Sequence, residues 1–272
     1  MKFENDFTKI SVVIPCHNSV ATIQRALRSV CAQTIKPQEL ILIDDASSDN
    51  TLELLKVFTN QEHDFPVILI KNDRNLGAGL SRNKGWNIAN GDWISFLDSD
   101  DTWVPNKNEI QINLLKKYTY IDFLSGESLF QDNQIHTLPN LESVMPQDLE
   151  IRKMLFKNRV STRTVILRKE IPLRFSEGLS EDFKLWLNLL NEGYRGVFVK
   201  IPMANIYRME FSKGGISSKR TYHEYFELKA IFSLWSKYNK KILVIASLFS
   251  IVKYLRRQII VFLRIIFLKK SQ

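Results

Sequence analysis

The chain has little cysteine, two residues in 272, and Cys16 and Cys31 stand at no metal-ligand spacing. Two thiols in apolar surroundings read as reduced core residues and exclude a disulfide framework, which points to a reducing cytosol. Long apolar runs are also missing. The longest charge-free one, ILVIASLFSIV at 242–252, has eleven residues, well short of the roughly 20 that span a bilayer. The opening MKFENDFTK has mixed charge and no apolar segment of a secretory signal. No internal repeat or low-complexity tract appears.

Acidic residues become scarce toward one end. The net charge is +9, but from Lys213 onward 13 Lys/Arg face two Glu, a balance of +11, which leaves 25 basic and 27 acidic residues, or −2, over 1–212. The basicity belongs to the tail alone. With 44% hydrophobic and 25% charged residues the rest has the composition of an ordinary globular protein able to bury a full core.

The first hundred residues alternate two kinds of segment. ISVVIPC (10–16), ELILIDD (39–45), PVILIKN (66–72) and DWISFLD (92–98) are near-continuous apolar runs, as in strands buried on both faces of a parallel sheet. Between them, 19–33, 50–61 and 76–90 carry helical spacing. This alternation predicts βαβ units in an open α/β sheet with helices on both faces. Such sheets bind ligands at the carboxyl ends of their strands. Here those ends are Pro15-Cys16-His17-Asn18, Asp44-Asp45-Ala46-Ser47, Asn72-Asp73-Arg74-Asn75 and Asp98-Ser99-Asp100-Asp101, and all four are expected on one rim. Farther on, 108–118 reads as a helix, 123–130 as a strand, 132–148 as a loop and 160–170 as strand again. A helix over 180–193 has Ser180 as its predicted N-cap and Gly193 as its stop.

Four stretches in order, SVVIPCHN, LILIDDASSDNT, NLGAGLSRNKGWNIANGDWISFLDSDD and GLSEDFKLW, resemble the motifs of the family 2 glycosyltransferases of the GT-A fold over roughly residues 10–212. The resemblance implies a Rossmann-like nucleotide-binding sheet, with a nucleotide-sugar half over about 1–104, an acceptor half over about 105–212, and a separate tail, 213–272. It also implies an inverting transfer from a nucleotide sugar, with UDP the preferred nucleotide. A departing diphosphate needs neutralising, and Mg²⁺ or Mn²⁺ with carboxylate ligands does this. The resemblance implies that Asp100 is the direct metal ligand and that Asp98 contacts metal or ribose. Asp98, Asp100 and Asp101 have no adjacent Lys or Arg and are expected to repel one another unless a cation sits among them. The alternative is a solvated turn that caps the next helix.

By the same resemblance Pro15, His17, Asn18 and Ser99 line the nucleotide site, with His17 stacking near the base. Asp45 hydrogen-bonds the base and Arg82 reaches toward base or pyrophosphate. Gly77 and Gly79 permit close approach of an anion at a helix start. Asp182 is the implied general base that deprotonates the acceptor hydroxyl, and Glu181 positions the acceptor; both also suit a first helical turn with no catalytic duty. Where many relatives carry a histidine two residues after a Tyr-Arg pair, IYRMEFSKGGISS has Glu210, a candidate third metal ligand. The QxxRW pattern of processive relatives is absent, which implies transfer of a single sugar.

On a helical wheel over 241–270, Ser250, Lys253, Tyr254, Arg256, Arg257 and Arg264 form one stripe against a wide Ile/Leu/Val/Phe face. This predicts either an interfacial helix on an anionic membrane, placing the protein on the inner face of the plasma membrane, or a helix packed on protein. Membrane attachment suits a lipid-linked saccharide acceptor in surface polysaccharide (O-antigen type) synthesis. Two other functions compete. A nucleotidyltransferase would carry a glycine-rich basic loop where this chain has Asn18-Ser19-Val20-Ala21, and a non-catalytic scaffold would not need Asp98, Asp100 and Asp182. Nucleic acid is not an expected partner, because the basic residues interleave with aliphatics and form no aromatic platform.

Overall fold

The computed structural model describes residues 9–130, 139–207, 220–235, 238–252 and 254–255. Strands β1 (Ile10–Cys16), β2 (Glu39–Asp44), β3 (Val67–Lys71) and β4 (Trp93–Phe96) form on the four apolar runs and pair in parallel in the order β3-β2-β1-β4. Strands β5 (Thr102–Trp103), β6 (Phe123–Phe130), β7 (Gln147–Asp148), β8 (Ile166–Arg168) and β9 (Gly196–Ile206) complete a nine-stranded mixed sheet among the described residues. In it β8 runs antiparallel between β4 and β6, β9 pairs parallel with β6, and β5 and β7 pair antiparallel with β9.

Alternate residues of each parallel strand point to opposite faces, and both faces are covered. Ile10, Val12 and Ile14 of β1 pack with Ile23, Leu27 and Val30 of α1 (Ile23–Cys31), Leu55 of α2 (Thr51–Thr59) and Ile110 and Leu114 of a helix over Lys107–Lys117. Val13, Ile41 and Phe96 lie on the other face. There they pack with Trp86 of α3 (Ala78–Ile88), Trp186 and Leu187 of a helix over Glu181–Asn191, Ile231 of a helix over Arg220–Phe232, and Leu243 of a helix over 240–252. Numbered along the chain, the helix at 107 is α4, a short one at Ile151–Met154 is α5, that at 181 is α6 and that at 220 is α7. An aromatic cluster ties this second layer together: Phe175 stands edge-on to Phe96 at 5.1 Å and to Trp186 at 5.9 Å.

The expected elements stand within a few residues of their predicted bounds, with three differences. First, α1 begins at Ile23 and not at Ser19, because Ser19 is held in a turn: its N–H donates to Thr51 Oγ1 (2.7 Å) and its carbonyl accepts from Thr22 and Ile23. Second, only Ile166–Arg168 of the 160–170 segment is strand, and Thr162–Thr164 form a single 3₁₀ turn. Third, β9 was not foreseen. Its residues include Lys200 and Pro202, and its pairing with β6 carries two register shifts, so no clean period of two is present to read. Among the described residues no helix is long and apolar enough to cross a membrane.

Candidate active site

The four strand ends do meet on one rim. His17 Nδ1 lies 2.9 Å from the Asp45 carbonyl oxygen, Asn18 Oδ1 accepts from the Ser48 N–H at 2.8 Å, and the Ser19 and Ser99 hydroxyls are 2.7 Å apart. Asn72, at the end of β3, donates through Nδ2 to Asp45 Oδ1 at 2.7 Å. The backbone is strained here as well: the non-glycine residues with positive φ among those described are Asn18, Ala46 and Ser180, at the ends of β1 and β2 and just before α6. Such conformations persist where surrounding contacts over-determine them, and they gather at functional sites. Ser180 does occupy the N-cap position, but its left-handed conformation (φ 54°) supplies no side-chain capping bond to the helix, contrary to expectation.

The start of α3 does receive an anion, and that anion belongs to the chain. Asp45 accepts from the Leu76 N–H and the Gly77 N–H, each at 2.8 Å, so its carboxylate organises the 72–77 loop. Gly77 has φ 85°, a conformation that favours glycine. At Gly79 a Cβ would stand 2.6 Å from Glu181 Cγ, so the missing side chain is what lets α6 abut α3.

The turn after β4 carries the three aspartates. They do not lack cationic partners, as the sequence suggested, because the compensating arginines come from distant segments. Arg82 Nη2 is 2.5 Å from Asp98 Oδ1, and Arg163 Nη2 is 3.6 Å from Asp98 Oδ2. Arg163 Nε stands 2.8 Å from Asp101 Oδ2, poorly aligned for a hydrogen bond, so this contact is an ion pair. Burial works to raise Asp98, but the two guanidinium groups outweigh it and hold its carboxyl below the usual range. Asp101 is buried, and its desolvation, opposed by Arg163, still pushes it up to about 7. The Tyr207 N–H donates to its Oδ1 at 3.3 Å.

Asp100 differs from both neighbours. It is exposed, and the ion pairs of Arg82 and Arg163 do not extend to its carboxylate among the described residues. The protein mass around it and the nearby Asp98 charge push its carboxyl up. Arg25, stacked 3.7 Å from the Tyr207 ring centroid, donates to the Asp100 carbonyl oxygen at 2.7 Å and so fixes its backbone.

Arg82 joins this turn to the start of α6. Its Nη1 donates to Glu181 Oε1 at 2.9 Å while Nη2 holds Asp98, and its side chain is 6% exposed. The guanidinium that was expected to reach base or pyrophosphate is therefore engaged between two carboxylates. Burial raises Glu181, and the neighbouring Asp182 adds to that rise against the pull of Arg82. Asp182 Oδ2 accepts from Thr162 Oγ1 at 3.2 Å, and its Oδ1 accepts from the Phe183 N–H at 2.7 Å. Glu210 lies outside the described residues. Arg163 and Thr162 were missed, since the only local signal was polar residues interrupting an apparent strand.

A largely parallel sheet whose carboxyl rim joins two acidic turns through one buried arginine has the architecture of a GT-A glycosyltransferase. Residues 11–170 match the family described as Glycosyl transferase family 2, and the chain belongs to that family; it is a glycosyltransferase. It is 32% identical over 214 residues, 78% of this chain and 80% of the relative, to UDP-Glc:alpha-D-GlcNAc-diphosphoundecaprenol beta-1,3-glucosyltransferase WfgD of Escherichia coli. Among solved structures, S. aureus TarS 1–349 in complex with UDP-GlcNAc shares the fold with a TM-score of 0.65 at 18% identity, over 88% of this chain and 70% of that one. The mannosyltransferase PcManGT from Pyrobaculum calidifontis, in complex with GDP-Man and Mn²⁺, also gives 0.65, at 16% identity over 89% and 70%.

Proposed function

We propose that the protein is an inverting, metal-dependent glycosyltransferase that moves one sugar from a UDP-linked donor to a hydroxyl of a lipid-linked saccharide in surface polysaccharide synthesis. The observation that carries this reading is Arg82, which holds Asp98 and Glu181 at once and so makes one site of the two acidic turns. The relative WfgD, named for a UDP-Glc donor and a diphosphoundecaprenol-linked acceptor, supports the donor and acceptor classes.

The residues fit a divalent cation of the kind that keeps phosphate and water ligands. Among the described residues no group of three or more His, Cys, Asp or Glu is placed to hold a metal. Mg²⁺ or Mn²⁺ at a nucleotide phosphate needs only one or two carboxylates, and Asp100 is the acid of this turn whose carboxylate forms no ion pair with an arginine among the described residues. When bound, the cation would neutralise charge on the departing nucleoside diphosphate. The other steps belong to the chain. The rim at Pro15, His17, Asn18 and Ser99 receives the nucleoside, and Asp45 orders the 72–77 loop beside it. Asp182, oriented by Thr162, accepts the proton of the acceptor hydroxyl as its oxygen attacks the anomeric carbon from the face opposite the leaving group. Glu181, fixed by Arg82, positions the acceptor.

The C-terminal helices supply a membrane-facing surface in this reading. In the helix over 240–252, Leu243, Ala246, Ser247 and Ser250 are buried against the domain, and Ser250 donates to Glu227 at 3.3 Å. Val244, Ile245, Leu248, Ile251 and Val252 are exposed. Ser250, the first residue of the expected polar stripe, thus faces the protein, while these five apolar residues point outward. Lys253, Arg256, Arg257 and Arg264 follow in sequence, a combination suited to an anionic leaflet on the cytoplasmic side.

The test is a thermal-shift panel of nucleotide sugars with and without Mn²⁺, followed by transfer to a GlcNAc-diphospholipid acceptor. A UDP-sugar with Mn²⁺ should raise the melting temperature by mass action and support transfer. Stabilisation by a nucleoside triphosphate with release of pyrophosphate, or no response to any nucleotide sugar, would overturn the reading.

A further inference from the structure

Arg163 is the second cation at the β4 turn and the one that no motif announced. Its backbone is held firmly. Its carbonyl oxygen accepts from Trp103 Nε1 at 2.7 Å, and the next residue, Thr164, is buried, with its hydroxyl 2.8 Å from Ser125 Oγ and its carbonyl accepting from Gln111 Nε2 at 2.8 Å. A guanidinium on so fixed a turn is pre-organised for whatever it faces. It faces Asp101 Oδ2 at 2.8 Å and Asp98 Oδ2 at 3.6 Å, on either side of Asp100. The Asp101 side chain is 3% exposed, so its charge depends on that partner.

We infer that Arg163 is a built-in counter-cation of this turn: by occupying Oδ2 of both Asp98 and Asp101 it confines a divalent cation to Asp100. Two effects act together. Oxygens engaged by a guanidinium are poor metal ligands, and a fixed positive charge beside Asp100 repels a second cation. The free protein therefore holds metal weakly, and the cation is retained when nucleotide phosphates add their own charge and oxygens. This rests on the reading of Asp100 as the metal carboxylate, and the test separates the two.

Mn²⁺ is titrated into the metal-stripped full-length protein without nucleotide, free Mn²⁺ is followed by electron paramagnetic resonance, and melting temperatures are recorded alongside. Arg163→Gln should bind Mn²⁺ about tenfold more tightly than wild type, the effect of removing one nearby, partly screened charge. Arg163→Lys, which keeps the charge, should stay within about threefold of wild type, whereas a purely structural arginine would make the two variants alike. Asp100→Asn should abolish binding. Unchanged or weaker binding by Arg163→Gln, with binding still lost in Asp100→Asn, overturns the counter-cation and leaves the Asp100 reading standing. Wild-type affinity in Asp100→Asn overturns that reading and the inference with it. If Arg163→Gln does not fold, it is added to Asp101→Asn, where no buried carboxylate is orphaned. Tighter binding than Asp101→Asn alone is then expected, and equal or weaker binding contradicts the inference.

Discussion

The turn after β4 and the start of α6 share one construction and differ in what surrounds it, since Arg163 also holds Asp98 and Asp101 in the first. Each ties one acid to Arg82, Asp98 in the first and Glu181 in the second, and each leaves a neighbouring acid without an arginine in the described structure. The neighbour in the first turn, Asp100, is exposed among other acids, whereas Asp182 is half-buried and accepts a hydrogen bond from Thr162. An exposed carboxylate outside the ion pairs of Arg82 and Arg163, among the described residues, suits a cation. A carboxylate whose orientation is fixed by a neutral hydroxyl and a backbone N–H suits a proton. Under the proposed function the first turn serves the donor and the second the acceptor.

The largest expected effect comes from removing Asp100 and Asp182, the two acids with no ion pair to an arginine among the described residues. Asp182→Asn should lower kcat by roughly 10²- to 10⁴-fold, the usual worth of a positioned general base, while leaving donor affinity near wild type. Asp100→Asn should reduce transfer at least as much and also remove any stimulation by Mn²⁺. Steady-state kinetics with varied donor and metal would separate the two profiles. If both variants lost donor binding equally, the division of labour between the turns would be wrong.

Breaking the joint comes next. Arg82→Met leaves Asp98 and Glu181 buried without their shared partner, and removing one member of a buried charge network costs about 3–5 kcal/mol. Urea unfolding should show that loss, whereas Asp100→Asn should unfold near the wild-type midpoint. A smaller effect is expected at Thr162→Val, which removes the hydroxyl donor to Asp182. A fall in kcat of about tenfold with KM for donor unchanged, restored by Thr162→Ser, would mark it as a positioning residue. Loss of folding in both variants would mark it as structural.

The smallest effect lies outside both turns. Lys107 is fully buried, with Nζ near Gln111 Oε1 (2.8 Å) and 3.8 Å from the Trp103 ring centroid, and desolvation pushes its pKa well below 10.5. Below 10.5 the unfolded chain binds a proton that the folded chain releases, so this group's contribution to stability rises with pH and is lost as pH falls through the window. Lys107→Met should remove that slope, about 1.4 kcal/mol per pH unit for one proton. Equal pH slopes in wild type and variant would show the amine to be charged in the fold.

What was legible in the sequence followed from local periodicity. The four parallel strands are apolar on both faces, so they stood out, and their polar ends marked the rim. Asp98, Asp100, Glu181 and Asp182 could be picked out because each sits at an element boundary within a recognisable motif. Arg163 could not, since its meaning lies in a contact with acids far away along the chain and its surroundings read as strand. Asp45 shows the converse. A carboxylate at a strand end was read as a ligand for a base, and in the fold its oxygens hold Asn72 and the N–H groups of Leu76 and Gly77. Which acids a protein keeps for itself depends on donors brought by tertiary packing, and spacing along the chain does not encode them.

Calorimetric titration of UDP-sugar in the presence of Mn²⁺ into wild type, Asp100→Asn and Asp182→Asn decides whether the two turns divide donor from acceptor. Wild type and Asp182→Asn should bind donor alike, and Asp100→Asn should lose the metal-dependent part of the affinity. Retention of full metal-dependent binding by Asp100→Asn, or its loss in Asp182→Asn, would contradict that division.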